Sequence, residues 1–166
     1  EIPAIPPKTV VFPQIERIMK YKYDRDAKKV EMDADFDKSS KALFGIRPCD
    51  LTGIVVLDRF FMGLEFVDDV YLEHRKRMFI VTNTCTVPFK QCFCVCTDSG
   101  PSAEEGYDLN LTDLGDVYLV EAGSDKGRAF AEKMGIKAAG PEHTLEKKNA
   151  VDKSISLFEK LATDNK

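Results

Sequence analysis

The chain has 166 residues, 43% hydrophobic and 31% charged, enough apolar content to bury one sizeable core. That excludes a disordered tail, and no apolar run approaches the ~20 residues a membrane-spanning helix needs. The net charge is −4, and basic residues gather only at His74, Arg75, Lys76 and Arg77, which excludes a protein built to bind nucleic acid.

Glu1 to Pro13 holds Pro3, Pro6, Pro7 and Pro13 and reads as an extended, polyproline-like lead-in, with Thr9 to Phe12 as a short strand. Gln14 to Tyr23 reads as a short helix with Ile15, Ile18 and Met19 on one face. The charge-rich stretch 22–40 reads as a surface loop or hairpin with a weak strand at Val30 to Met32. Residues 1–40 are thus expected to be a lead-in to the same single domain as 41–166. No charged and apolar leader precedes them, so the chain reads as a segment of a longer subunit.

Lys41 to Ile46 is an apolar strand that stops at Arg47 and Pro48, followed by a helix from Cys49 or Asp50 to about Leu64. The helix is so apolar that burial on most faces is expected. Val70 to Arg77 is a second helix, and Met78 to Thr82 a buried strand ending at Asn83, Thr84 and Cys85. Strand, helix, helix, strand predicts a parallel crossover. It places Cys49 and Cys85 just past the carboxyl ends of neighbouring strands, where open α/β sheets hold their ligands. Residues 86–106 carry turn signals and read as an irregular loop. Tyr107 to Leu114 and Asp116 to Glu121 predict a hairpin, and Ser124 caps a helix running to about Met134, with Gly135 as its stop. Leu145 to Ala162 predicts a last helix with Val151, Ile155, Phe158, Leu161 and Ala162 as its apolar stripe. The fold class is α/β: a mixed, mostly parallel sheet flanked by helices, with an irregular cysteine-bearing loop.

The five cysteines are Cys49, Cys85, Cys92, Cys94 and Cys96, four of them crowded into residues 85–96. This does not suit a secreted disulfide framework and fits a reducing, cytoplasmic compartment. Zinc and iron–sulfur clusters both take four thiolates, and Cys49, Cys85, Cys92 and Cys94 can supply that set. The spacing is neither a C-x-x-C-x-x-C run nor a pair of C-x-x-C motifs. A metal centre and a group of buried free thiols therefore both stand on pattern alone, with a thiol redox enzyme using Cys92, Cys94 or Cys96 a third reading. Thiol crowding in a turn-rich loop favours the metal centre. Arg47, beside Cys49, reads equally as a donor of hydrogen bonds to a cluster sulfur and as a surface or capping arginine. Asp50 reads as a helix-start residue, His74 and His143 as solvated, and 123–127 as a cap without a phosphate-loop pattern.

In order along the chain stand 42–51 with Arg47-Pro48-Cys49-Asp50, then 56–60, Asn83-Thr84-Cys85, Cys92-Phe93-Cys94 and 107–116. From about Pro6 to Gly127 this resembles the iron–sulfur beta subunit of cytosolic sulfhydrogenases and the A subunit of anaerobic sulfite reductase. The resemblance implies a non-catalytic electron-transfer part of an oxidoreductase complex of anaerobic metabolism. Its partners would be a flavin-containing, NAD(P)H-oxidising subunit and a hydrogenase or reductase catalytic subunit. It implies one 4Fe–4S cluster on Cys49, Cys85, Cys92 and Cys94. Exposed clusters are labile and thiolates accept either metal, so the isolated segment is open to loss of the cluster or to its replacement by zinc. Cys96 would be spare, or a substitute for Cys92 or Cys94. The family continues into a ferredoxin-like part with two more clusters, and no such cysteine runs follow Cys96 here. The alternative is a structural zinc or cofactor-free docking domain of such a complex.

Overall fold

The structure is a computed structural model that describes residues 5–163, with side chains as far as 158. Pro7, with φ −64° and ψ −21°, opens a single helical turn, α1 (Lys8–Val11). Proline's fixed φ suits a first helical turn as well as an extended chain. Thr9 to Phe12 are therefore not a strand: Thr9 donates its hydroxyl to the Pro6 carbonyl, and Val11 drops into the core at 0% exposure. Glu1 to Ala4 lie outside the described residues.

The helix expected over Gln14 to Tyr23 is also absent. Alternation from Met19 onward overrides the helical spacing of Ile15, Ile18 and Met19, because apolar and charged residues change places at every step. The result is a hairpin of β1 (Met19–Asp24) and β2 (Lys29–Ala34), antiparallel, in register from Met19 opposite Ala34 to Asp24 opposite Lys29. The Asp24 carboxylate closes the turn by accepting the N–H groups of Asp26 and Ala27, both at 2.9 Å. The hairpin reading of 22–40 holds, with longer strands than expected.

From Lys41 the order is the expected one. β3 (Lys41–Ile46) leads into α2 (Pro48–Met62) and α3 (Asp69–Lys76), and the chain returns as β4 (Met78–Asn83), parallel to β3. β5 (Leu109–Asp113) lies parallel to β4, and β6 (Tyr118–Ala122) antiparallel to β5, so the sheet order is β3-β4-β5-β6. α4 (Asp125–Lys133) and α5 (Pro141–Thr163) complete a mixed, mostly parallel sheet flanked by helices. Leu43, Ile46, Leu51, Ile54, Tyr71, Met78 and Ile80 form the core between sheet and crossover helices, with Val11 of the lead-in.

Two helix expectations need correction. α2 is not buried on most faces: Val56 and Phe60 are 55% and 62% exposed, since Leu51 and Ile54 face the core while Val56 and Phe60 turn away from it. On α5 the inward stripe carries Ser154 and Phe158, while Ile155 turns outward; the side chains of Leu161 and Ala162 lie outside the described set. Among the described residues, no helix is long and apolar enough to cross a membrane.

Candidate metal centre

Gly45 has φ +72°, a left-handed conformation that glycine adopts without strain, and the β3–β4 register shifts between Phe44 and Ile46. The bulge turns Ile46 into the core and releases the chain through an extended Arg47 into Pro48, the first residue of α2. Cys49 thus sits in the first turn of α2, beyond the end of β3. Arg47 Nε lies 3.3 Å from the Asp50 carboxylate, so Asp50 is both a first-turn acid and a partner for Arg47.

Beyond neighbouring β4, Cys85 is held by both backbone groups. Its N–H donates to the Pro101 carbonyl at 2.9 Å, and its carbonyl accepts the Ser154 hydroxyl at 2.8 Å. The loop 86–106 is irregular, as expected, apart from one 3₁₀ turn at Cys94–Thr97. Cys92 Sγ accepts the Phe89 N–H at 3.3 Å, and Cys94 opens the 3₁₀ turn. A Cβ on Gly100 would stand 3.2 Å from Cys94 Sγ and 3.8 Å from Pro48 Cβ. The absence of that carbon lets the turn carrying Cys94 lie against the start of α2.

These segments bring Cys49, Cys85, Cys92 and Cys94 into one electrostatic neighbourhood. Burial pushes the Cys49 thiol up, the Asp50 and Cys92 charges add to this, and Arg47 opposes it. Burial and then Cys92 raise Cys85, again against Arg47. Burial raises Cys94, followed by Cys49, Cys92 and Cys85. Cys96 is exposed. All five cysteines are free thiols. Among the described residues, no three thiol, imidazole or carboxylate groups converge tightly enough to grip a single metal ion.

The expectation for His74 is overturned. It is buried: Nδ1 donates to the Val11 carbonyl at 3.1 Å, and Nε2 lies 2.9 Å from the Glu16 carboxylate. The lead-in covers His74, which a reading of α3 as a lone surface helix misses. His143 is half-buried rather than solvated. Ser124 caps α4 as expected, accepting the Gly127 N–H at 3.0 Å. Sequence reasoning missed Ser154, Pro101 and Gly100. Only Ser154 carried a signal, lying on the α5 stripe three residues after Val151 and four before Phe158.

Over 88 residues the chain is 39% identical to the beta subunit of sulfhydrogenase 2 from Pyrococcus furiosus. The match takes in 53% of this chain and 25% of that subunit, so this chain corresponds to a small part of its relative. No family model matches the chain, and no solved structure matches it.

Proposed function

We propose that this chain is an iron–sulfur electron-transfer domain of a hydrogenase or sulfur- or sulfite-reductase complex, with Cys49, Cys85, Cys92 and Cys94 holding one 4Fe–4S cluster. The observation that carries this reading is that Cys49 and Cys85, just beyond β3 and β4, and Cys94 on the loop are half-buried thiols, each pushed up by burial and by the charge of Cys92, while Cys96 is exposed. The likeness to a sulfhydrogenase beta subunit supports it. The donor set fits the group: it is all thiol, and the neighbouring charge of Arg47 offsets the anion that four thiolates and a cluster would create. A cube gives each thiolate its own iron, so the four need not meet at a point. A zinc ion would draw all four sulfurs to about 2.3 Å from itself.

When bound, the cluster supplies one-electron redox chemistry. The chain's residues do the rest. Burial keeps Cys49, Cys85 and Cys94 protonated when free, so ligation releases protons and strengthens as pH rises. Pro101 and Ser154 fix the Cys85 backbone, and Gly100 leaves room for Cys94. In the complex the domain relays electrons between a flavin-containing, NAD(P)H-oxidising subunit and a catalytic subunit in a reducing, cytoplasmic setting.

The test is iron, zinc and acid-labile sulfide content with visible absorption after reconstitution without oxygen. About four irons and four sulfides per chain are expected, lost in Cys49→Ser, Cys85→Ser, Cys92→Ser and Cys94→Ser and kept in Cys96→Ser. Stoichiometric zinc without sulfide, or no metal at all, overturns the reading in favour of a docking domain.

A further inference from the structure

We infer that the β1–β2 hairpin is a dimerisation arm whose apolar face packs against the same face of a second copy of this chain. In the observed register, Met19 stands opposite Ala34, Tyr21 opposite Met32 and Tyr23 opposite Val30, so one face of the hairpin is apolar throughout. The other face pairs Lys20 with Asp33, Lys22 with Glu31 and Asp24 with Lys29. All twelve residues are exposed, Tyr21 at 72% and Met32 at 67%, so the body of the chain does not cover the apolar face. A two-stranded hairpin is marginal in water, and this one needs a second apolar layer. Tyrosine and methionine are the residues that interface cores favour.

The chemistry of the arm selects a copy of itself as that layer. The apolar face carries no charge with which to recognise a charged partner, and on the opposite face the three strand lysines, Lys20, Lys22 and Lys29, balance the three strand acids, Asp24, Glu31 and Asp33, so two apolar faces meet without charge repulsion between the strands. An apolar face is complementary to itself under a two-fold axis. Two tyrosines and three other large side chains, each half or more exposed, offer on the order of 500 Å² per copy. Two copies together would bury about 1,000 Å², the lower bound for a specific interface, so a weak, concentration-dependent dimer is expected. Lysines along both strands discourage edge-to-edge growth, so face-to-face packing closes at two.

Sedimentation velocity of the full chain in reductant, from about 1 to about 200 μM, reads the association directly and excludes cross-links through the free thiols. The weight-average mass is expected to rise towards twice the monomer. Tyr21→Glu and Met32→Glu each bury a charge in the paired faces and should weaken association at least about 30-fold. Lys22→Ala, on the opposite face, should leave it intact. Neither Tyr21 nor Met32 packs on the body, so both variants should melt at the wild-type temperature when measured as monomers, which separates a lost contact from a lost fold. A wild-type chain that stays monomeric over the whole range overturns the inference, whether or not another protein takes the face. So does a dimer that both glutamate variants leave intact.

Discussion

Ser154 on α5 donates its hydroxyl to the carbonyl of Cys85 at 2.8 Å, and Ser154 is fully buried, so the last helix of the fold is fastened directly under a cysteine loop. A second line reaches the same place. Lys147 Nζ donates to both oxygens of Glu121 at 2.8 and 2.6 Å, and Glu121 accepts Asn110 Nδ2 at 2.8 Å. Asn110 Nδ2 also reaches Thr84 Oγ1 at 3.2 Å, and Thr84 shares a 2.8 Å hydrogen bond with Thr112. Thr84 immediately precedes Cys85. Buried polar groups cost free energy unless they are satisfied, and a satisfied network holds one geometry.

Replacing Ser154 by Ala leaves the Cys85 carbonyl without its side-chain partner. The expected loss is about 1–2 kcal/mol, which for a chain of this size lowers the melting temperature by about 2–8 °C. Alkylation of Cys85, followed by mass spectrometry of the metal-free protein, should speed up while that of Cys96 stays constant. A Cys85 rate equal to wild type would show that Ser154 does not hold the loop.

Asn110 lies at the centre of the second line, fully buried, with Thr82 donating to its Oδ1 at 2.9 Å. Asn110→Ala removes one partner each from Thr82, Thr84 and a carboxylate oxygen of Glu121, which keep their bonds to the Leu109 carbonyl, Thr112 and Lys147. The expected cost is about 2–4 kcal/mol, read from urea unfolding. Lys147→Met removes only the outer, partly solvated partner and should cost less than Asn110→Ala; the reverse order would mean that the ion pair, not the amide, holds α5.

Much of the body was legible because its strands are short apolar runs bounded by turn residues. Lys41 to Ile46 and Met78 to Asn83 could be little else, and two intervening helices imposed the parallel crossover that brings Cys49 and Cys85 to one edge. The lead-in misled because Pro6 and Pro7 suit both an extended chain and a helix start. Ile15, Ile18 and Met19 mimicked a helical stripe that the hairpin pairing of β1 with β2 overrode. The path that carries Cys92 and Cys94 towards the other two thiols rests on a backbone carbonyl at Pro101, a missing Cβ at Gly100 and a serine on a helix whose pattern advertised only its apolar residues. Such contacts have no periodicity to read.

Gly127 and Gly53 should respond in opposite directions to the same substitution. A Cβ on Gly127 would fall 1.8 Å from the Asp108 carbonyl oxygen, a backbone atom that cannot swing away, while one on Gly53 in α2 meets nothing within 4 Å. Gly127→Ala should drive α4 off β5 at a cost of about 2–3 kcal/mol. Gly53→Ala should stabilise by about 0.5–1 kcal/mol, because glycine is a poor helix former and loses more chain entropy on folding. Equal effects in urea unfolding would contradict this packing of α4.

Tyr71 sets an alkaline limit on stability. Its hydroxyl donates to Asp58 Oδ1 at 2.7 Å, and Asp58 also receives Arg75 Nε at 2.9 and 3.0 Å. Burial first, then the bond to Asp58 and the negative charge of that carboxylate, hold the phenol far above its ordinary value of 10.0. Below that pH the phenol is protonated in both folded and unfolded chains, and its contribution is fully present. Above it only the unfolded chain releases the proton, so folding stability falls as pH rises beyond about 10. Tyr71→Phe should cost about 1 kcal/mol at neutral pH, because Asp58 loses a donor. It should also remove this residue's share of the alkaline decline, so wild-type and variant stabilities converge as pH climbs. Urea titrations between pH 8 and 11 that keep the two curves parallel would show that the Tyr71 phenol ionises alike in both states.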